Sequence, residues 1–444
     1  MDSLLSGPGA AQPLERYGRA AVKEEFRRAI ADGETTRDGI LARAGATLAR
    51  RFSPRLRRVV NATGILLHTN LGRAPLGLPA REALAAAATG YATLEYDPDT
   101  GERGHRQDHV RGAIRDLFGG AEGIAVNNNA SAIFLALSTI ARGRRTLVSR
   151  GELVAIGGSF RIPEILETSG ALLTEVGTTN RTTIADYRRA LGPEVALLLT
   201  VHPSNYEIRG YTQRPLASEL RQLAKEARIP WLHDQGTGCV VPLDEFGVPG
   251  EPTVSSCLAD GADLVSFSAD KLFGGPQAGF LVGRAELVER AAAHPVARVV
   301  RPDKLTFAAL AATLADWKTG HWRALPIYRA AAADISSLEA RGESIRDSAG
   351  RAEKTLRIEV AASQAFFGGG TSPEKPFASR ALRVSHRLLD ASTAARRLRE
   401  REIPIIGRVE NRSLWLDLRS IAPEEDSIVA DALAAIAAVR ESSR

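Results

Sequence analysis

Lys271 follows a short apolar run at residues 263–267 that is typical of a buried strand, and Ser268 stands three positions before it. A glycine-containing turn separates Lys271 from the next apolar run, at residues 279–283. Burial at such a position lowers the pKa of a lysine and frees its amine for Schiff-base chemistry. The alternative is an ordinary lysine in a surface loop, so the chemical interpretation needs support from other residues.

Asp234 supplies the first such support. It follows an apolar run at residues 229–233 and precedes Gly236 and Gly238, so we expect it at the end of a strand. In enzymes that use pyridoxal phosphate, an aspartate at a strand end pairs with the protonated pyridine nitrogen and strengthens the electron sink. An aspartate that only caps a helix or a turn is the alternative.

Three consecutive asparagines, at residues 127–129, are the second feature that supports a chemical role for Lys271. They follow an apolar run at residues 123–126 and open an apolar helical pattern, where backbone N–H groups suit a phosphate. A phosphate site, an acid and a lysine in this order on successive strands are the requirements of an aspartate-aminotransferase-like (fold-type-I) enzyme. We therefore predict an α/β protein of this class, with pyridoxal phosphate as its cofactor.

The elements that must position these groups alternate along the chain from about residue 120. Short apolar runs that predict strands are separated by helical patterns, which indicates a mostly parallel sheet covered on both faces. Ligands of such sheets lie beyond the carboxyl ends of the strands. The predicted strands of this sheet are 123–126, 145–149, 172–176, 195–201, 229–233, 263–267 and 279–283.

The same patterns predict three domains. Residues 15–31 and 36–52 each carry an apolar stripe at helical spacing, which includes Ile30 in the first and Phe52 in the second. After about residue 320, strand-like and helical stretches of a smaller α+β domain follow. The predicted domains are a short helical region at 1–60, a large cofactor-binding domain at 61–320 and a C-terminal domain at 321–444.

Composition excludes several classes of protein. The chain has 444 residues, is 44% hydrophobic and 25% charged, and has no apolar stretch long enough for a membrane span. Two cysteines without metal-ligand spacing predict neither disulfides nor a metal site, and the absence of a secretory signal predicts the cytoplasm. Residues 1–60 hold 12 basic and 7 acidic residues, so 12 − 7 = 5 of the net charge of +6 lies there. That excess indicates either contact with nucleic acid or a solvated helical surface.

Several segments together make the chain resemble the bacterial selenocysteine synthase family, the L-seryl-tRNA(Sec) selenium transferases. The resemblance extends over about residues 57–420. The matching segments are residues 61–74, 94–97, 101–106, 127–129, 149–153, 177–182, 268–279, 407–408 and 414–419.

The resemblance implies a role for each matching residue. Lys271 is expected to form the Schiff base, and Asp234 is expected to pair with the pyridine nitrogen. The residues expected to hold the phosphate are Asn128, Asn129 and Ala130, with help from Ser268. Those expected to contact the ring or its phenolic oxygen are His202 and Asn205, and those expected to bind an anionic selenium donor are Arg73, Arg298 and Arg301.

The resemblance also implies a reaction and partners. The seryl group of seryl-tRNA(Sec) would lose its α-proton and β-hydroxyl, giving an aminoacrylyl intermediate bound to the cofactor. Selenophosphate would then add selenium at the β-carbon, and arginines suit this anion because their planar fork binds phosphate and stays charged. The expected assembly is a homo-oligomer, at least a dimer and up to a decamer.

Two alternatives stay open at this point. Relatives of the same family act as lyases on small phosphorylated amino compounds, without tRNA, and would keep Lys271, Asp234 and the phosphate site. A protein that binds tRNA or supports assembly without catalysis is the other alternative, which the presence of Lys271 and Asp234 disfavours. Binding of seryl-tRNA(Sec) would distinguish a selenium transferase from such a lyase.

Overall fold

The computed structural model describes residues 1–7, 9–156, 160–350, 355–371 and 375–439. The chain forms two compact units, Met1–Arg58 and Val59–Arg444. The strands are β1 Val60–Asn61, β2 Glu122–Val126, β3 Arg145–Ser149, β4 Ala155–Ile156, β5 Phe160–Arg161, β6 Leu172–Val176, β7 Val195–Val201, β8 Trp231–Gly236, β9 Leu264–Ser268, β10 Gly279–Gly283, β11 Leu356–Ala365, β12 Phe377–His386, β13 Ile405–Ile406, β14 Arg408–Glu410 and β15 Ser413–Asp417. The α-helices are α1 Asp2–Leu5, α2 Ala11–Tyr17, α3 Arg19–Ala31, α4 Arg37–Phe52, α5 Leu78–Ala88, α6 Asp108–Leu117, α7 Asn129–Ile140, α8 Ile162–Ser169, α9 Ile184–Ala190, α10 Ala217–Ala227, α11 Val254–Ala259, α12 Ala285–Ala293, α13 Pro295–Val299, α14 Lys304–Lys318, α15 Pro326–Ala331, α16 Ile335–Ser348, α17 Ala391–Arg399 and α18 Asp426–Ala437.

The first unit is a small helical body built mainly by α3 and α4. Its core contains Val22, Phe26 and Leu48, which are buried, as the apolar stripes predict. The predicted helix at residues 15–31 is interrupted, because Gly18 adopts φ +80° and ends α2 before α3 begins. Ile30 and Phe52 also differ from the prediction, since they lie at the ends of their helices and are 43% and 50% exposed.

A seven-stranded sheet dominates the second unit, in the order β2-β10-β9-β8-β7-β3-β6. All neighbouring strands are parallel except β10, which runs antiparallel to both β2 and β9. The central strands are buried on both faces, which explains their continuous apolar runs. The predicted strands at 145–149, 172–176, 195–201 and 279–283 are confirmed with the same bounds.

Helices cover the two faces of this sheet. One apolar cluster joins α6, α10, α11 and α14 to one face, and a second joins α7, α8 and α12 to the other. The carboxyl ends of β7, β8 and β9 are neighbours, so the residues that follow these strands meet at one edge of the sheet. The reversed direction of β10 places its first residue, Gly279, beside Ser268 and Val126 at this same edge.

A second, four-stranded antiparallel sheet has the order β11-β12-β15-β14 and packs against α16, α17 and α18. The early strand β1 pairs with β13, so the chain just after residue 58 is tied to this later part. A large mostly parallel sheet with a smaller α+β portion confirms the predicted α/β fold class. The division of the chain at residues 60 and 320 into domains stays a prediction.

Within the described part of the chain, no helix is both long and apolar enough to cross a membrane.

Tyr328 on α15 is fully buried and donates its hydroxyl to the carbonyl oxygen of Leu272 at 2.7 Å, next to Lys271. Replacing it with phenylalanine leaves this buried carbonyl without its partner. We expect Tyr328→Phe to lower the free energy of unfolding by about 1–2 kcal/mol, measured by urea denaturation. The matched control is Tyr91→Phe, because Tyr91 is fully exposed. Equal denaturation midpoints for the two variants would contradict the assignment of this bond as stabilising.

Candidate active site

Lys271 lies in the turn after β9 and is only 6% exposed. The turn is fixed by backbone bonds on both sides: Leu272 N–H donates to Thr237 O at 3.0 Å, and Gly274 N–H donates to Lys271 O at 3.0 Å. Burial lowers the pKa of the Lys271 amine, and the positive charge of Arg73 lowers it further. The nearby carboxylates oppose this shift without cancelling it, so the amine is set toward its neutral, nucleophilic form.

Asp234 lies near the end of β8 and is 4% exposed. The side-chain amide of Asn129 donates to Asp234 Oδ1 at 2.8 Å, and Ser266 Oγ donates to the same oxygen at 3.4 Å. Burial raises the pKa of this carboxyl, while the bond from Asn129 and the charge of Lys271 oppose that rise. A buried carboxylate in this setting is suited to a cationic partner such as a protonated ring nitrogen.

The three asparagines after β2 have three different roles. Asn127 donates its backbone N–H to Val300 O at 2.9 Å. Its side-chain amide, in the orientation that satisfies its hydrogen bonding, donates to Arg301 O at 3.1 Å. Asn128 is the N-cap of α7, because its side chain accepts from Ser131 N–H at 2.8 Å. The side chain of Asn129 is directed to Asp234, so a phosphate at this turn would be bound by backbone N–H groups.

Those N–H groups belong to Asn129 and Ala130, at the first positions of α7, where an α-helix offers no internal acceptor. Gly279 lies directly against this turn, since a β-carbon on it would collide with the backbone oxygen of Asn128. β10 lies between β2 and β9, and Ser268 at the end of β9 is the strand partner of Gly279. The start of α7 therefore offers backbone N–H groups that suit an anion. Strand β10 can pack closely against this turn because residue 279 is a glycine.

The predicted arginines do not form one contact group. Arg73 has φ +63°, and its guanidinium pairs with Asp270 at 2.8 Å, immediately before Lys271 in the sequence. Arg301 pairs with Glu95 at 3.1 Å, and Arg106 joins the same carboxylate at 2.6 Å. Arg298 is exposed on α13. Among the described residues, Arg73 is therefore the only one of the three arginines that contacts a sequence neighbour of Lys271.

His202 and Asn205 follow β7. His202 donates its backbone N–H to Asp234 O at 2.8 Å, and its Nε2 lies 3.4 Å from the buried carboxylate of Glu251. The side chain of Asn205 instead donates to Ala155 O at 3.4 Å. The structure thus brings His202 to Asp234 and ties Asn205 to β4.

Three acidic residues and a glycine lie beside predicted site residues although no sequence pattern assigned them a role. Asp270 pairs with Arg73, Glu251 lies beside His202, and Glu95 holds Arg301. Gly370 lies near the Lys271 amine. Asp270 could have been suspected from its place before Lys271, but the other three are far from their partners along the chain and carry no local signal.

Comparison with solved structures establishes the class of fold. The solved structure of D-glucosaminate-6-phosphate ammonia-lyase superposes with a TM-score of 0.60 at 19% identity, and the match covers 88% of this chain and 98% of that one. This likeness shows a shared architecture: a large sheet domain with a smaller α+β portion.

Sequence comparison establishes the family. Residues 59–422 match the family described as L-seryl-tRNA selenium transferase. The L-seryl-tRNA(Sec) selenium transferase of Carboxydothermus hydrogenoformans is 41% identical over 440 residues, covering 96% of this chain and 94% of its own length. That of Moorella thermoacetica is 43% identical over 426 residues, covering 93% and 89%. The chain belongs to the L-seryl-tRNA selenium transferase family, as the resemblance predicted.

Replacing Arg73 tests whether its charge lowers the pKa of the Lys271 amine. In Arg73→Gln, the cation that lowers the pKa of Lys271 is lost and Asp270 is left facing the amine, so the pKa of Lys271 rises. The neutral amine then forms only at higher pH, and below its pKa each unit of increase reduces the neutral fraction about tenfold. We expect the pH dependence of pyridoxal phosphate attachment, followed by visible absorbance, to move to higher pH.

Arg73→Lys is the control for this experiment, because it keeps the positive charge. Its curve should stay closer to that of the unaltered protein. An Arg73→Gln curve that coincides with the unaltered one would show that Arg73 does not tune the amine.

Proposed function

We propose that this protein converts L-seryl-tRNA(Sec) to selenocysteinyl-tRNA(Sec), with pyridoxal phosphate as cofactor and selenophosphate as selenium donor. The observation that carries the proposal is the buried Lys271 amine beside Asp234 and Arg73, in a chain that belongs to the selenium transferase family. The relatives that are 41% and 43% identical bear the name L-seryl-tRNA(Sec) selenium transferase and match over nearly their whole length.

The residues present fit pyridoxal phosphate. Lys271 offers a buried amine for the aldehyde, Asp234 offers a buried carboxylate for the ring nitrogen, and the start of α7 offers backbone N–H groups for the phosphate. Asn129 Oδ1 and Thr371 Oγ1 are buried polar atoms that have no hydrogen-bond partner among the residues that the structure describes. Buried polar atoms are seldom left unpaired, which supports a polar ligand in these surroundings.

When bound, pyridoxal phosphate supplies an electron sink that stabilises negative charge at the seryl α-carbon. The chain supplies the remaining functions. Lys271 Nζ would accept the α-proton, and Asp234 would pair with the ring nitrogen, with its carboxylate oriented by Asn129. Burial limits the access of water to the amine.

Arginines are proposed to bind the anionic donor. Arg73, Arg298 and Arg301 would provide the positive charge, with Arg73 nearest to the amine. Arg73 and Arg301 are oriented by Asp270 and Glu95, so their guanidinium groups are held in place before the donor arrives. We further propose that residues 1–60 contact tRNA phosphates and that the protein acts in the cytoplasm as a homo-oligomer, at least a dimer.

The lyase alternative has less support. The ammonia-lyase structure shares the fold at 19% identity, whereas the selenium transferases share about twice that identity over nearly the whole chain. Nothing in the site as described favours a small phosphorylated amino compound over an aminoacyl ester.

Binding of tRNA tests the proposal directly. We expect the cofactor-loaded protein to retard seryl-tRNA(Sec) in a native gel, and the affinity to fall as salt rises, because phosphate contacts release counterions. Seryl-tRNA with an ordinary serine anticodon is the matched control and should bind more weakly. A protein that ignores both RNAs at low salt would favour the lyase reading.

The donor site is tested by Arg298→Ala combined with Arg301→Ala. We expect this variant to keep the visible absorption of bound cofactor and to lose selenium transfer by at least about 100-fold, since two charged contacts to an anion are removed. The charge-matched control is Arg290→Ala combined with Arg189→Ala, two exposed arginines outside the proposed site. Full transfer activity in the first variant would refute the donor-site assignment.

A further inference from the structure

A loop that comes from beyond the large sheet reaches the active-site lysine. Residues 366–371 connect β11 to the region before β12, and three consecutive glycines form their centre. The loop runs beside residues 64–67: Leu66 N–H donates to Phe366 O at 2.9 Å, and Leu67 N–H donates to Phe367 O at 2.7 Å. Its position is therefore fixed by backbone bonds on one side.

The first two glycines are explained by packing. Both have positive φ, +70° for Gly368 and +61° for Gly369. A β-carbon on Gly368 would collide with the side chain of Ile65, and one on Gly369 would collide with the carbonyl oxygen of Leu67. These two residues must lack side chains for the loop to lie against its neighbouring segment.

Gly370 is different, because it faces the lysine. Its φ is +85°, and a β-carbon on it would lie 3.4 Å from Lys271 Nζ and 3.5 Å from Ser204 Oγ. These are ordinary van der Waals distances, so a methyl group would fit without collision. Any larger side chain would extend from that β-carbon among the groups around the amine, where a substrate has to approach.

We infer that Gly370 is a specificity-determining residue whose missing side chain leaves space at Lys271 for an amino acid carrying a bulky ester group. The inference rests on the proposed function. In a seryl ester, the α-carbon that must reach Lys271 carries both a hydroxymethyl group and the esterified carboxyl. A branched side chain at position 370 would compete with these substituents for the same space, while a small amine would still reach the site.

Backbone strain is the competing explanation, since any residue other than glycine is strained at positive φ. Gly320 separates the two effects. Its φ of +79° is close to that of Gly370, but nothing lies within 4 Å of a β-carbon built on it. The same substitution at residue 320 therefore imposes the same kind of strain away from the amine.

The experiment compares Gly370→Ala and Gly370→Val with Gly320→Ala and Gly320→Val, all loaded with pyridoxal phosphate. Three properties are measured: cofactor affinity by fluorescence titration, the visible absorbance change on adding hydroxylamine or L-serine benzyl ester, and kcat/KM with seryl-tRNA(Sec). For Gly370→Val, relative to Gly320→Val, we expect cofactor affinity and the rate with hydroxylamine to stay within about threefold. Both the rate with the benzyl ester and kcat/KM should fall at least about tenfold, with a smaller loss for Gly370→Ala.

Equal losses in the matched valine variants would overturn the inference, because strain alone would then account for them. A parallel loss with hydroxylamine, or of cofactor affinity, would also overturn it, since the effect would not depend on substrate size. The benzyl ester arm does not involve tRNA. A selective loss there, in a protein that shows no transfer to seryl-tRNA(Sec), would support the role of Gly370 and refute the proposed function.

Discussion

The burial of one amine is the constraint on which the site depends. Lys271 is almost fully removed from water, and this removal is the main reason why its pKa falls. A buried amine without neighbouring charges would be costly to the fold whenever it is protonated. Here Asp234 and Asp270 stabilise the cation while Arg73 opposes it, so the surrounding charges moderate the effect of burial rather than reverse it. The arrangement suits a residue that must both react as a free amine and carry a proton.

The large sheet makes this burial possible. Strands β7, β8 and β9 end side by side, and the antiparallel strand β10 returns the chain so that Gly279 lies against the start of α7. The asparagines there connect three parts of the site. Asn127 holds the segment that carries Arg301, Asn128 caps the helix, and Asn129 orients Asp234. A change at each of these positions would therefore affect a different part of the site.

Two of the three arginines proposed to bind the donor are paired with acids. Asp270 pairs with Arg73, and Glu95 pairs with both Arg106 and Arg301. These pairs hold the guanidinium groups in fixed directions, so little side-chain entropy would be lost when an anion binds. The anion would, however, have to share the cations with the carboxylates. An anion with more than one negative charge would be favoured in that competition, since its attraction to the cations is stronger.

Local sequence determined the elements and the identity of the central chemical groups. Apolar runs bounded by glycine or polar residues predicted most strands of the large sheet to within two residues. The order of the asparagines, Asp234 and Lys271 at strand ends was visible because each group lies next to its own strand. The break at Gly18 and the exposure of Ile30 were missed, since an apolar stripe does not reveal where a helix meets solvent. Only the tertiary structure decided which distant residues meet. Arg73 pairs with Asp270, which is 197 positions away in the sequence. Gly370, in the loop after β11 of the four-stranded sheet, lies near Lys271. Such contacts follow from how strands and loops pack in space, and no spacing along the chain encodes them.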